Sequence, residues 1–167
     1  LDHPLTLASR LGHGSRFSLT VPLASAPTES APRIQPIIST RLDGLTVLCI
    51  DNEPAILDGL RSLLSHWGLR VLTASSRDEA LEYLDDGEEP DVLVLDYHLD
   101  RGDDGLSVRT ALSTALGRTL PAVVVSADSG DALKQACASH GVALLAKPVR
   151  PLALKTLLSG LMAETAL

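Results

Sequence analysis

With 167 residues, of which 45% are hydrophobic and 21% charged, the chain can bury the core of one ordinary soluble domain beside a shorter segment. Its formal net charge of −7 argues against nucleic-acid binding, which relies on clustered Lys and Arg. Its apolar runs are far shorter than the roughly 20 residues that cross a bilayer, so we expect no membrane span and no membrane contact by this chain.

The first 44 residues lack the pattern of a complete domain. Gly12 and Gly14 interrupt the amino-terminal part, and residues 16–23 alternate partly as a strand does. Three prolines then occur among Ser, Ala and Thr, a composition that resists both helix and a packed core. The predicted boundaries are 1–24 for a remnant of a larger domain, 25–44 for a linker, 45–163 for a folded domain and 164–167 for a tail.

Beyond the linker, apolar strand-like runs alternate with amphipathic helix-like runs, which predicts a parallel sheet with crossover helices. The first helix has an apolar stripe that includes Leu60 and Leu64, and Gly68 ends it. In the second helix, Ser76 is a candidate N-cap and Glu79 completes a capping box. Five such units predict a doubly wound, five-stranded α/β fold. The predicted strands are 46–50, 69–73, 92–95, 122–125 and 142–145, and the predicted helices are 54–67, 76–86, 106–116, 131–139 and 152–162.

Polar residues stand at the carboxyl ends of these strands, which is where open parallel sheets bind ligands. They are Asp51, Asn52 and Glu53 after the first strand, Asp96 after the third, Ser126 after the fourth and Lys147 after the fifth. Carboxylate and amide oxygens are ligands suited to Mg²⁺. We therefore predict that Asp96 attacks a phosphoryl group, that Mg²⁺ and Lys147 balance its charge, and that Ser126 donates a hydrogen bond to it.

Each of these residues also has an ordinary structural explanation. Asp96 could be an ordinary carboxylate that caps a loop. Residues 51–53 could cap the following helix, where negative charge is favourable. Ser126 could merely begin a turn, and Lys147 could be a solvated charge at the end of a strand. The joint occurrence of these residues at the carboxyl ends of four strands favours the site.

The segments VLCIDNEP, VLVLDYHLD with Asp104 and Gly105 downstream, VVVSAD and LLAKP resemble, in order and spacing, the receiver domains of two-component response regulators and hybrid histidine kinases. The resemblance covers residues 45–163 and implies a flavodoxin-like fold with strand order 2-1-3-4-5. It also implies that a phosphohistidine supplies the phosphoryl group to Asp96, and that the peptide bond between Lys147 and Pro148 is cis. The implied metal ligands are Asn52, Asp96 and the backbone carbonyl of His98, with Asp51, Ser126 and Lys147 in support and Glu53 as a further candidate.

The amino-terminal segment SRLGHGSRFSLTVPL resembles the last glycine turn and hairpin of a histidine kinase ATP-binding domain, in which Gly12, Gly14, Ser15 and Phe17 match. The upstream nucleotide-binding residues are absent, so we expect no ATP binding here. The order implies the carboxyl-terminal receiver of a hybrid sensor kinase, which would promote only its own aspartyl phosphorylation. The implied partners are the phospho-acceptor and dimerisation domain of a histidine kinase, or a histidine phosphotransfer protein.

Cys49 and Cys137 both lie in apolar runs, which predicts that their thiols are buried. Buried free thiols favour a reducing, cytoplasmic location for this chain, and that location is compatible with a parent protein attached to the membrane.

Two positions depart from the family pattern. Asn52 stands where the family usually has a second acidic residue, which predicts weaker Mg²⁺ binding and tighter binding in Asn52→Asp. Leu144 stands where many relatives have a Tyr or Phe that rotates on activation. These departures motivate the alternative of a degenerate receiver that acts as a phosphorylation-independent docking module. A haloacid-dehalogenase-like phosphatase would need a second Asp where this chain has His98, and a cap domain as well.

Overall fold

The structure, a computed structural model, describes residues 4–12, 14–21 and 42–165. The chain divides into two compact units, one within residues 1–35 and the other within residues 36–167. The proline-rich part of the predicted linker and His13 lie outside the described residues. Within the described ranges, no helix has both the length and the apolar character needed to cross a membrane.

The first unit is a two-stranded antiparallel hairpin of β1 (Leu5–Arg10) and β2 (Gly14–Leu19). The hydroxyls of Ser9 and Ser15 are 2.8 Å apart across it. Both strands are exposed along their whole length within this unit. Side-chain alternation predicted only the second strand, over residues 16–23, whereas the resemblance implied a hairpin. The hairpin pairing accounts for the first strand, because neither strand is stable without a partner.

The second unit is a five-stranded parallel sheet with helices on both faces. The strands lie in the order β4-β3-β5-β6-β7, which is 2-1-3-4-5 when they are counted within the sheet, as the resemblance implied. The strands are β3 (Thr46–Ile50), β4 (Arg70–Ala74), β5 (Val92–Asp96), β6 (Ala122–Ser126) and β7 (Ala143–Ala146). The helices are α1 (Pro54–His66), α2 (Arg77–Asp85), α3 (Gly105–Ala115), α4 (Asp131–Ser139) and α5 (Pro151–Thr165), with a short 3-10 turn at Asp100–Gly102.

Alternate strand residues face two separate cores. One core contains Leu48, Leu93 and Val124 of the strands and is covered by α2, α3 and α4. The other contains residues of the opposite parity, such as Val94, and is covered by α1 and α5. This second core also includes Leu42, which is 4% exposed and lies within the range predicted as linker. Strands buried on both faces explain why their sequences are continuously apolar.

Two strands begin one residue later than predicted, and the ends of the preceding helices explain both shifts. The backbone N–H of Leu69 donates to the carbonyl of Leu64 in α1, beside a Gly68 with φ of 85°. Likewise, the N–H of Val142 donates to the carbonyl of Cys137 in α4. Each residue thus closes the last turn of a helix before its strand can start.

The capping box predicted for α2 is only half formed. Ser76 accepts a hydrogen bond from the Glu79 N–H at 3.3 Å, as a cap should. The Glu79 carboxylate, however, accepts from the N–H and hydroxyl of Ser75, one residue before the cap. A complete capping box instead opens α3, where Asp104 pairs with Ser107, whose hydroxyl replaces the expected Glu or Gln.

Candidate functional site

The register of the central strands brings two carboxylates to one edge of the sheet. Ile50 pairs with Leu95, so the residues that follow them, Asp51 and Asp96, are neighbours across β3 and β5. Both carboxylates are buried, with Asp51 2% exposed and Asp96 7% exposed. Asp96 is the last residue of β5, where the sequence had placed it just beyond the strand. Two buried carboxylates side by side need positive charge nearby.

Lys147 supplies that charge. Its ammonium lies 3.1 Å from Asp96 Oδ1 and 3.2 Å from Asp51 Oδ2, so one cation bridges both carboxylates. Burial of Lys147 by itself would lower its pKa, but the hydrogen bonds to Asp96 and Asp51 outweigh burial and raise the pKa above its ordinary value. The lysine is therefore charged at neutral pH, and it is not the solvated strand-end charge of the alternative explanation.

The backbone holds Lys147 in that position. Its N–H donates to the Ser126 carbonyl at 2.8 Å, which continues the pairing of β7 with β6. The Lys147–Pro148 peptide bond is cis, as the resemblance implied.

Asp51 organises the loop after β3. Its Oδ1 accepts a hydrogen bond from the Glu53 N–H at 2.9 Å, while its Oδ2 faces Lys147. Glu53 is the N-cap residue of α1, yet its side chain makes no capping hydrogen bond, and it is exposed. The helix-capping explanation of this acidic cluster is therefore not supported for Glu53, and Asp51 acts on the loop and not on the helix.

Asn52 makes a contact that the sequence did not predict. Its side-chain nitrogen Nδ2 donates to Oδ1 of Asp100 at 3.0 Å. Asp100 lies in the loop between β5 and α3, and it was missed because nothing in that loop's composition separates it from its acidic neighbours. Both residues line a cleft of about 250 Å³ that also includes Ser75, just after β4, and Arg77, at the start of α2.

Ser126 ends β6 and is completely buried. Its hydroxyl oxygen accepts a hydrogen bond from the Asp128 N–H at 3.0 Å, so it does begin a turn, as the plainer explanation held. An accepting hydroxyl keeps its own proton for donation. The turn and the predicted hydrogen bond to a phosphoryl group are therefore compatible.

The loop from β5 to α3 approaches the site closely because of one glycine. A Cβ at Gly105 would lie 2.6 Å from the Asp96 carbonyl oxygen, so any other residue would push the first turn of α3 away from the acceptor. His98 lies in this loop, is exposed, and forms a β-bridge with Asp104. Its carbonyl stays a predicted ligand.

The donor set fits Mg²⁺. Asp51 and Asp96 are hard oxygen donors, and Asn52, the next residue after Asp51, has an amide oxygen. Across residues 4–12, 14–21 and 42–165, no three Asp, Glu, His or Cys side chains come together as a metal-binding group. A cation here would thus be held by two carboxylates, amide or carbonyl oxygens, and water. Mg²⁺ commonly retains several waters and needs few carboxylates.

Two similarities at the level of sequence bear on the identity of the chain. Residues 47–159 match the family model described as the response regulator receiver domain. An uncharacterized 14.6 kDa protein from Leptolyngbya boryana is 32% identical over 111 residues, which is 66% of this chain and 84% of that protein.

Two solved structures share the fold. A two-component response regulator from Clostridium difficile is 20% identical, with a TM-score of 0.64 over 72% of this chain and 98% of its own. The chemotaxis protein CheY4 of Vibrio cholerae is 23% identical, with a TM-score of 0.62 over 71% and 98%. Because the family model covers well over half of the sequence, the chain belongs to the response regulator receiver domain family.

Proposed function

We propose that this receiver domain accepts a phosphoryl group from a phosphohistidine onto Asp96 and changes conformation as a result. The observation that carries the proposal is the single Lys147 ammonium in contact with two buried carboxylates. Such an arrangement concentrates negative charge and its counter-charge around one potential nucleophile, which an ordinary surface ion pair does not do.

Asp96 is the nucleophile in this proposal. Its Oδ1 is held by Lys147, which leaves Oδ2 to attack phosphorus. The new bond joins a carboxylate oxygen to phosphorus, the bond from phosphorus to the imidazole nitrogen breaks, and the electron pair returns to that nitrogen. Lys147 then faces the transferred group and offsets its charge.

Mg²⁺, when bound, would neutralise phosphoryl oxygens. Asp51, Asn52, Asp96 and the His98 carbonyl would hold it, with Glu53 as a further candidate.

Ser126 couples the transfer to a change of shape. Its hydroxyl can donate to the phosphoryl oxygen, but the same oxygen now accepts from the Asp128 N–H. Any movement of the hydroxyl toward Asp96 would therefore pull on the loop between β6 and α4. Leu144, half-buried against the core on that face, would take part in place of the family's aromatic residue.

We further propose that the donor is a histidine kinase dimerisation and phospho-acceptor domain or a histidine phosphotransfer protein. The exposed hairpin of β1 and β2 supports the interpretation of residues 1–24 as the end of a kinase ATP-binding domain. Residues 25–44 are then the linker, except that its last residues, from the buried Leu42 onward, pack with the receiver at 45–163. The parent chain would then be a hybrid histidine kinase, while this chain promotes only its own phosphorylation. The free buried thiols of Cys49 and Cys137 support a cytoplasmic location.

Intact mass spectrometry after incubation with acetyl phosphate and Mg²⁺ tests the proposal. We expect the gain of one phosphoryl group, which is absent in Asp96→Asn and without Mg²⁺. A chain that stays unmodified would identify the alternative, a degenerate receiver that acts as a docking module. In Ser126→Ala we expect phosphorylation to persist while the linked amide chemical-shift changes disappear, and shift changes like those of the unaltered chain would rule out its coupling role.

A further inference from the structure

The hydrogen bond between Asn52 and Asp100 joins two loops beside the proposed site. The two residues are 48 positions apart, and Nδ2 of Asn52 lies 3.0 Å from Oδ1 of Asp100. An ionised carboxylate can only accept hydrogen bonds, so the amide must present its nitrogen to Asp100 and not its oxygen. The orientation of the Asn52 amide is thereby fixed by chemistry.

Fixing the nitrogen also fixes the oxygen, because the two atoms diverge from the same carbon. Oδ1 is the atom of the Asn52 side chain that can bind a cation, and it is directed away from Asp100. The pair also carries one negative charge in total. That is the charge that an acidic residue at position 52 would bring, but here the charge belongs to Asp100.

We propose that Asp100 is a positioning residue for the cation site, which orients the Asn52 amide oxygen and supplies the negative charge that Asn52 lacks. This inference rests on the proposed function, since it concerns the cation used in phosphoryl transfer. Asp100 acts through Asn52 and not as a ligand itself, in the way that groups behind metal ligands commonly tune affinity.

The hydrogen bond reverses one expectation drawn from the sequence. The departure of Asn52 from the family pattern predicted that Asn52→Asp would tighten Mg²⁺ binding by adding charge. Asp100 Oδ1 lies 3.0 Å from the Asn52 side-chain nitrogen, so Asn52→Asp would place a carboxylate oxygen at that distance from another carboxylate. Neither group has a hydrogen to donate, and the two negative charges would repel each other. We now expect that it does not tighten binding.

A matched control exists in the same loop. Asp103 forms an ion pair with Arg77 of α2 at 3.0 Å, so it also tethers the loop, but it makes no hydrogen bond to Asn52. Asp103→Asn removes the same charge from the same segment. A role of Asp100 that is only loop anchoring or general charge would therefore appear in both variants.

Isothermal titration of the full chain with Mg²⁺ tests the proposal. We expect Asp100→Asn to weaken Mg²⁺ affinity on the order of tenfold, and Asp103→Asn by less than about twofold. The double variant Asn52→Asp/Asp100→Asn should recover affinity to within about threefold of the original, because the new amide donates to the new carboxylate. Without metal, the NMR signals of the Asn52 side-chain amide should shift in Asp100→Asn and stay in place in Asp103→Asn.

Three results would overturn this inference: equal affinities for Asp100→Asn and Asp103→Asn, tighter binding by Asn52→Asp alone, or no recovery in the double variant. Asp100 is exposed, so its substitution leaves the core unchanged, and Trp67 fluorescence checks that each variant is folded. If the original chain binds Mg²⁺ and takes a phosphoryl group, such results defeat only the role of Asp100. If it does neither, both the role and the proposed function fail.

Discussion

Lys147→Met should destabilise the fold in the absence of metal, because it leaves Asp51 and Asp96 buried without their counter-charge. Each contact, at 3.1 and 3.2 Å, is worth about 5 kcal/mol of Coulomb energy at an effective dielectric constant of about 20, before any desolvation cost. The measured net cost of removing one partner of a buried ion pair is about 3–5 kcal/mol. Since the Lys147 side chain keeps 24% exposure, we expect the lower end, about 3 kcal/mol.

Urea unfolding in the presence of EDTA, followed by the fluorescence of Trp67, measures this loss. With a slope of about 1.5 kcal/mol per molar urea, the midpoint should fall by about 2 M. Millimolar Mg²⁺ should restore part of the loss, because a cation that binds only the folded state stabilises it.

The matched control is Lys134→Met. Lys134 lies 3.0 Å from Asp131, but both side chains are exposed, so its loss should cost less than about 1 kcal/mol. An equally small loss in both variants would show that the Lys147 ammonium is not what keeps the two carboxylates buried, and the electrostatic argument for the site would then fail.

Three further variants test other parts of the structure. Gly105→Ala should cost about 1–3 kcal/mol by urea unfolding, because its Cβ would meet the Asp96 carbonyl at 2.6 Å, whereas Gly59→Ala in α1 meets no atom within 4 Å and should be neutral or stabilising. Asp104→Ala removes the cap of α3 and should cost about 1 kcal/mol in the same assay, and no change would mean that the capping box is not formed. Burial raises the pKa of the Cys49 thiol from 9.0 to about 12, so the unfolded chain loses this proton first as the pH rises. Stability should therefore fall from about pH 9 upward, by up to about 1.4 kcal/mol per pH unit from this group, and the slope should be shallower in Cys49→Ala; equal slopes would contradict the burial of this thiol.

Local patterns in the sequence were sufficient for the sheet and for the family. Continuous apolar runs mark strands covered on both faces, and the helical stripe of Leu60 and Leu64 marks a helix with one buried side. These patterns involve residues that are close together in the chain, so they can be detected in a single sequence. The strand order followed from the resemblance and is confirmed.

The same reasoning erred where one residue serves two elements. Leu69 and Val142 are apolar enough to begin a strand, but each is bonded back to the preceding helix. Glu79 has the spacing of a capping box, yet its carboxylate reaches Ser75. In each case the hydrogen-bond partner found in the structure lies within a few residues of the expected one, and composition does not distinguish the two partners.

The sequence by itself determined that Asp51, Asp96, Ser126 and Lys147 would stand at the carboxyl ends of parallel strands, because the alternation of elements fixes where each strand ends. Only the tertiary structure decided how they meet: one ammonium between two carboxylates, and an amide held by Asp100 from a loop 48 positions away. Hydrogen bonds of that kind depend on distances and orientations across the fold, and these are set by the packing of loops and not by any pattern along the chain.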